Sequence, residues 1–238
     1  MITEQEIQHQ YYKVTAEKYD ATHLGEVDIE HVIACHYLLG MIDYLKIQSI
    51  LDIGSGTGRV IRFFKTHKPE LVVKGIEPVK ELREIAYLNG VSKSDLVDGD
   101  ALALTCNDES YDIVTAFGVL HHIRDHKKAV DEMLRVSKTG IFLSDANNYG
   151  QGGKLVRKIK QISNSLKLWP LMNYIKTGGK GYSITEGDGL AYSYSLFSNY
   201  AQIEKKCSNI YLMNTKGNAI NMYREASHLA LLGIKNQS

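Results

Sequence analysis

Two rhythms of apolar and polar positions alternate along the middle of this chain. Short apolar runs at 49–53, 71–76, 95–97, 111–117 and 140–144 each end close to a Gly, Asp or Glu. Between them, at 59–66, 80–89 and 126–136, apolar residues recur near every 3.6 positions, the period of an amphipathic helix. Strands that alternate with helices predict a parallel sheet covered on both faces, because parallel neighbours need crossover connections. Upstream, 3–23 reads as a polar helix and turn carrying Tyr11, Tyr12 and Tyr19. Residues 28–46 read as a helix on which Ile29, Val32, Ile33, His36, Leu39 and Leu45 recur at near-helical spacing.

After Asp145 the rhythm breaks. Residues 146–195 mix glycines with aromatic and basic residues, and Leu155, Ile159, Ile162, Leu166 and Trp169 make a helical stripe expected to end at Pro170. This stretch reads as a cap inserted over the sheet. A helix is expected near 196–207, then strands near 210–214 and 229–234.

Composition sharpens the picture in a few places. A length of 238 residues suits one α/β domain, divided here into an N-terminal lid and helix (1–46), a core (47–145), the cap (146–195) and a closing segment (196–238). The net charge of +1 hides an asymmetry. From Ala146 to Thr185 there are basic residues and no acidic one, which leaves the rest of the chain net negative. Cys35, Cys106 and Cys207 are odd in number and form no CxxC, as expected of reduced thiols in a cytoplasmic protein. The start, Met1-Ile2-Thr3-Glu4, lacks the form of a signal peptide, and no apolar stretch nears the roughly 20 residues of a membrane span.

The chemistry concentrates where apolar runs end. Leu51-Asp52-Ile53-Gly54-Ser55-Gly56-Thr57-Gly58 places glycines where a buried strand turns into a helix, so that backbone can approach a ligand against free helix N–H groups. The spacing is GxGxG, not the GxGxxG of dinucleotide folds. Glu77 ends the second run, where a carboxylate can accept two ribose hydroxyls and would repel a 2′-phosphate. Asp98-Gly99-Asp100-Ala101 closes the third run, and Tyr111 to Ile123 spans the fourth with its following loop.

In this order the segments resemble motifs I to IV of class I S-adenosylmethionine-dependent methyltransferases, the fourth most like the ubiquinone-biosynthesis-like small-molecule branch. The resemblance implies a doubly wound, seven-stranded, mostly parallel sheet with an antiparallel last strand, and S-adenosylmethionine as cofactor. It assigns the loop of Gly54, Ser55, Gly56 and Thr57 to the methionine part and Asp52 to its ammonium group. Glu77 falls to the ribose, beside Pro78 where a small polar residue is commoner, and Asp100 with the Ala101 N–H falls to the adenine edge. Phe117 and Gly118 would line the cofactor, while Tyr12 and Tyr19 resemble the family's N-terminal lid, Tyr19 toward the cofactor and Tyr12 toward the substrate.

His121 and His122 are candidate general bases because imidazole titrates near neutrality, with His122 preferred; shaping the pocket is the competing role. The remaining histidines show no metal-ligand spacing, so no metal is expected. Lys154, Arg157, Lys158 and Lys160 leave three readings open: a solvated basic face, a grip on an anionic substrate through Arg157 and Lys158, or contact with a membrane surface or acidic partner. Nucleic acid is disfavoured by the absence of a broad basic excess. The expected reaction is methyl transfer to an oxygen of a small molecule. The tail after Asp145 resembles those of enzymes acting on surface-polysaccharide precursors, which suggests a sugar or a phosphorylated or nucleotide-linked precursor. An N-methyltransferase on a small amine and a non-catalytic cofactor-binding subunit are the alternatives.

Overall fold

A computed structural model describes residues 3–23, 29–185, 187–217 and 220–236, with backbone alone for 17–23. Two helices, α1 (Glu4–His23) and α2 (Ile29–Leu45), precede the alternating unit. That unit runs β1 (Ser49–Ile53), α3 (Arg59–His67), β2 (Val72–Ile76), α4 (Lys80–Leu88), β3 (Leu96–Val97), β4 (Tyr111–Phe117), α5 (His126–Val136) and β5 (Ser137–Ala146). Next come α6 (Lys154–Ser165), α7 (Trp169–Lys176), β6 (Tyr182–Thr185) and β7 (Gly189–Tyr192). The chain closes with α8 (Tyr200–Glu204), β8 (Cys207–Lys216) and β9 (His228–Lys235), apart from a short helical turn at Met222–Glu225.

The main sheet has seven strands in the order β3-β2-β1-β4-β5-β9-β8. β1 to β5 pair in parallel, whereas β9 runs antiparallel to both β5 and β8. This is the doubly wound sheet with an inverted last strand that the motifs implied. Successive residues of a strand point to opposite faces, and here both faces are covered. Ile50, Ile113 and Phe142 pack with Leu38 and Ile42 of α2 and Phe64 of α3. Leu51, Val114 and Ile141 pack with Val130 and Met133 of α5 on the other side. The strand order reverses between β1 and β4, which opens a crevice at their carboxyl ends, the usual ligand position in such sheets.

Four local expectations need correction. On α2 the buried apolar residues are Ala34, Cys35, Leu38 and Ile42, beside a buried Glu30, while Ile29, Val32 and Ile33 lie partly exposed. The helix is apolar nearly all round, so periodicity could not choose its inner face. Pro170 does not end the cap helix. α6 stops at Ser165, Lys167 takes a left-handed backbone (φ 58°), and Pro170 sits in the first turn of α7, where its missing N–H costs no helical bond. The cap also contains a two-stranded antiparallel sheet, β6–β7, which the sequence reading lacked. The helix expected at 196–207 is shorter, a 3₁₀ turn at Leu196–Asn199 followed by α8. Among the described residues no helix is long and apolar enough to cross a membrane, and the three cysteines are unpaired.

Candidate functional site

Four loops at the carboxyl ends of β1 to β4 surround a cavity of about 410 Å³, roofed by α1. The first follows β1. Gly54 has φ 64°, and a Cβ there would lie 2.6 Å from Val119 Cγ2, so the backbone passes where any side chain would collide. Gly54 and Gly56 line the cavity, while Asp52, Ser55 and Thr57 line a small pocket that shares Gly54, Gly56 and Phe117 with it. Asp52 is buried and its Oδ1 accepts the Thr115 hydroxyl at 2.7 Å. Burial pushes its carboxyl up to about 7 against that hydrogen bond.

Glu77 follows β2 and is also buried. Its two oxygens accept the Gly56 and Val79 backbone N–H groups, each at 2.9 Å, which clamps the carboxylate between the first two loops. Burial again outweighs these bonds and raises the carboxyl to about 7. Pro78 lines the cavity beside it. The third loop contributes Asp100 and Ala101; Asp100 stands at the exposed rim and accepts Leu102 N at 2.9 Å. The fourth contributes Phe117, Gly118 and His122.

One face of α1 closes the top with Gln5, Gln8, His9 and Tyr12, at the i, i+3, i+4, i+7 spacing of a helix stripe. Tyr19 lies on α1 too, but its side chain falls outside the described residues. The roof is tied to the cap and to the fourth loop. Arg124 pairs with Glu4, and the Tyr192 hydroxyl donates to Glu4 Oε2 at 2.6 Å. Gln8 Oε1 accepts Leu190 N at 2.5 Å.

The adjacent histidines have opposite surroundings. His121 does not line the cavity. Its Nδ1 lies 2.7 Å from Asp145 Oδ1 and its Nε2 3.3 Å from Asp188, so the ring is bracketed by carboxylates. Burial alone would lower its pKa, but Asp145 and Asp188 outweigh it and push the imidazole up to about 10. The two carboxylates thus hold His121 toward its protonated form at neutral pH. Asp145 holds both this ring and the loop, since its Oδ2 accepts Leu120 N at 2.9 Å. His122 faces the cavity. Its Nδ1 donates to the Leu190 carbonyl at 2.7 Å, which leaves Nε2 as the acceptor, 3.1 Å from the Tyr12 hydroxyl. Burial and the neighbouring His121 cation hold its pKa below the ordinary 6.5.

A stability prediction follows from His121. Its folded pKa of about 10 exceeds the ordinary 6.5, so its contribution is full below 6.5 and is lost as pH rises through about 10. In Asp188→Asn the loss should be smaller and complete at lower pH. Melting temperatures of both proteins over that alkaline range check this; parallel curves would contradict it.

His121, His122 and Asp188 are the group among the described residues whose ligand atoms lie close enough, within 4.8 Å, to hold a metal. The sequence reading missed it because Asp188 lies far along the chain. A metal ion bound there would have to displace the His121 proton. Sequence reasoning also missed Gln8, Asp145 and Asp188. The stripe Gln5-Gln8-His9-Tyr12 could have revealed the first; the other two carry no local signal. Arg157 and Lys158 do not line the cavity: Arg157 Nη1 reaches the Glu225 carbonyl at 3.5 Å and Lys158 is exposed.

The cavity suits the cofactor that the motifs implied. A cradle of glycine backbone, a buried carboxylate on either side of it and an acid at the rim match the ammonium, ribose and adenine groups of an adenosyl amino acid. Known proteins agree. A family described as a methyltransferase domain matches residues 51–144. An uncharacterised methyltransferase of Bacillus subtilis, YcgJ, is 36% identical over 93 residues, 37% of this chain and 36% of its own. Ajmaline N-methyltransferase of Rauvolfia serpentina is 32% identical over 146 residues, 55% of this chain and 50% of its own. The chain thus spans half or less of the length of these curated relatives. In three dimensions it resembles magnesium protoporphyrin IX methyltransferase of Synechocystis, solved with bound S-adenosylhomocysteine, with TM-score 0.63 and 13% identity over 98% of this chain and 100% of that one. Residues 51–144 thus resemble a methyltransferase domain in sequence, and the whole chain has the fold of solved methyltransferases.

Proposed function

We propose that the protein is an S-adenosylmethionine-dependent methyltransferase that methylates a hydroxyl oxygen of a small, uncharged molecule, with His122 as general base. The observation that carries this reading is the imidazole at the cavity wall, its Nδ1 bonded to the Leu190 carbonyl and its Nε2 facing the Tyr12 hydroxyl at 3.1 Å, with Asp188 3.4 Å away. The sulfonium of the cofactor supplies an electrophilic methyl group. The chain's own residues then have three tasks. Asp52 and Glu77 hold the two ends of the cofactor, α1 covers the cavity against water, and His122 takes the hydroxyl proton as the oxygen attacks. Holding the reactants in line can itself lower the barrier by roughly 7–11 kcal/mol.

The anionic acceptor suggested by the basic cap loses support. Among the described residues no Lys or Arg lines the cavity, whereas Glu77, Asp98 and Asp100 do, so a phosphorylated precursor would meet no counter-charge. A second reading is transfer to the nitrogen of a small amine, the chemistry named for the Rauvolfia relative. A protonated amine also needs a base before it can attack.

Saturating S-adenosylhomocysteine should raise the melting temperature, because a ligand that binds only the folded state stabilises it by about 2.7 kcal/mol at a hundredfold excess over Kd. Labelled methyl transfer across matched alcohol and amine panels then separates the two acceptors. No thermal shift at saturation would end the methyltransferase reading.

A further inference from the structure

Helix α6 is built inside out. Its polar residues Arg157, Lys160, Gln161 and Asn164, at i, i+3, i+4 and i+7, face the body of the protein. Lys160 Nζ donates to the Asn148 carbonyl at 2.9 Å, Gln161 Nε2 to the Tyr149 carbonyl at 3.0 Å, and Asn164 Nδ2 to the Tyr223 hydroxyl at 2.9 Å. Burial accordingly lowers the Lys160 pKa. The opposite face, Leu155, Ile159, Ile162 and Leu166, points to solvent, with Leu155 71% and Ile162 60% exposed. α7, which packs beside α6, also exposes Leu171 and Ile175, the latter 70% exposed. An ordinary surface helix turns this stripe inward. Isolated exposed apolar residues need no explanation, but a contiguous set on two consecutive helices marks an interaction surface.

Charge selects the occupant. Lys154, Lys158, Lys167, Lys176 and Lys180 are exposed on the same helices and the turns beside them, and the sequence has no acidic residue between 146 and 185. Apolar side chains edged by long-stemmed lysines are the composition of helices that lie in a membrane interface, their stems letting the ammonium groups reach headgroup phosphates. We infer that the outward face of α6 and α7 docks on the surface of an anionic lipid bilayer, with the apolar residues entering the acyl boundary and the lysines meeting the headgroups.

The docking face also reaches the site's rim. Asn173 of α7 donates to the Gly181 carbonyl at 3.3 Å, and the adjoining Lys180 carbonyl accepts Arg124 Nη2 at 3.2 Å. Arg124 in turn pairs with Glu4 of the roof. The inference does not depend on the reaction catalysed, because its readout is binding.

The test is sedimentation of the full chain with vesicles of phosphatidylcholine alone and of phosphatidylcholine with phosphatidylglycerol. Wild type should pellet with the anionic vesicles and stay in solution with the neutral ones. Ile162→Asp combined with Ile175→Asp alters exposed positions, so the melting temperature should hold while partitioning falls by more than about tenfold. Lys154→Glu with Lys158→Glu should weaken it similarly and make residual binding less salt-sensitive. Three results would overturn the inference: no pelleting with anionic vesicles, pelleting unaffected by the aspartates, or sedimentation velocity showing a dimer that the aspartates dissolve. The last would assign the face to a second copy of the chain.

Discussion

Replacing His122 by alanine should lower kcat by about 10²–10⁴-fold while S-adenosylhomocysteine stabilises the variant as it does wild type. The size follows from a hydroxyl being a poor nucleophile until its proton leaves, and from His122 being the neutral imidazole on the cavity wall. The pH profile gives an independent reading. The base must be unprotonated, and burial with the His121 cation keeps its pKa below 6.5, so kcat should fall only on the acid side of that value and stay level above it. Tyr12→Phe should cost far less, since it removes a partner of Nε2 and leaves the Leu190 bond that sets the tautomer. Steady-state kinetics of both variants decide the matter. An unchanged kcat in His122→Ala with a flat acid limb would mean that the acceptor arrives already ionised.

Asp52→Asn and Glu77→Ala should each weaken S-adenosylhomocysteine by about ten- to hundredfold, the equivalent of losing a charged hydrogen bond of about 1.5–3 kcal/mol. Asparagine keeps an acceptor for the Thr115 hydroxyl and deletes only the charge that an ammonium group would seek. Both carboxyls are raised to about 7 by burial, so the free protein binds protons that the cofactor must displace. Wild-type affinity should therefore drop as pH falls through about 7, and Asp52→Asn should flatten part of that dependence. Gly54→Val should abolish binding, because Val119 occupies the space its side chain would need. Calorimetric titration on either side of neutrality measures all three. Equal affinities for wild type and Asp52→Asn at both pH values would remove Asp52 from the cofactor site.

The parts of this molecule that could be read from its sequence share one property: the signal and its cause lie within a few residues. Glu77 was legible because it stands where an apolar run stops, and Gly54 because a strand turns sharply into a helix there. Asp188 was not, because its meaning depends on β7 folding back to set it beside His121 and His122. On α2 an excess of apolar residues erased the phase that would have named the buried face. On α6 the phase was clear and its direction reversed, since the stripe that periodicity assigns to a core faces outward. Periodicity shows that a helix has two faces; only the neighbours say which one turns inward.

On the proposed function, the roof would impose a timing constraint. The helix that carries Tyr12 and Gln8 against His122 also walls the cavity, and Gln8, Glu4 and Tyr192 bind it to the cap. On that function, a cofactor product that left on the α1 side would break the contacts that aim His122, and the next cycle would remake them. Tightening the Glu4–Arg124–Tyr192 clasp would slow departure, and loosening it would let turnover run with the base misaimed, so the clasp strength sets a ceiling on speed from both sides.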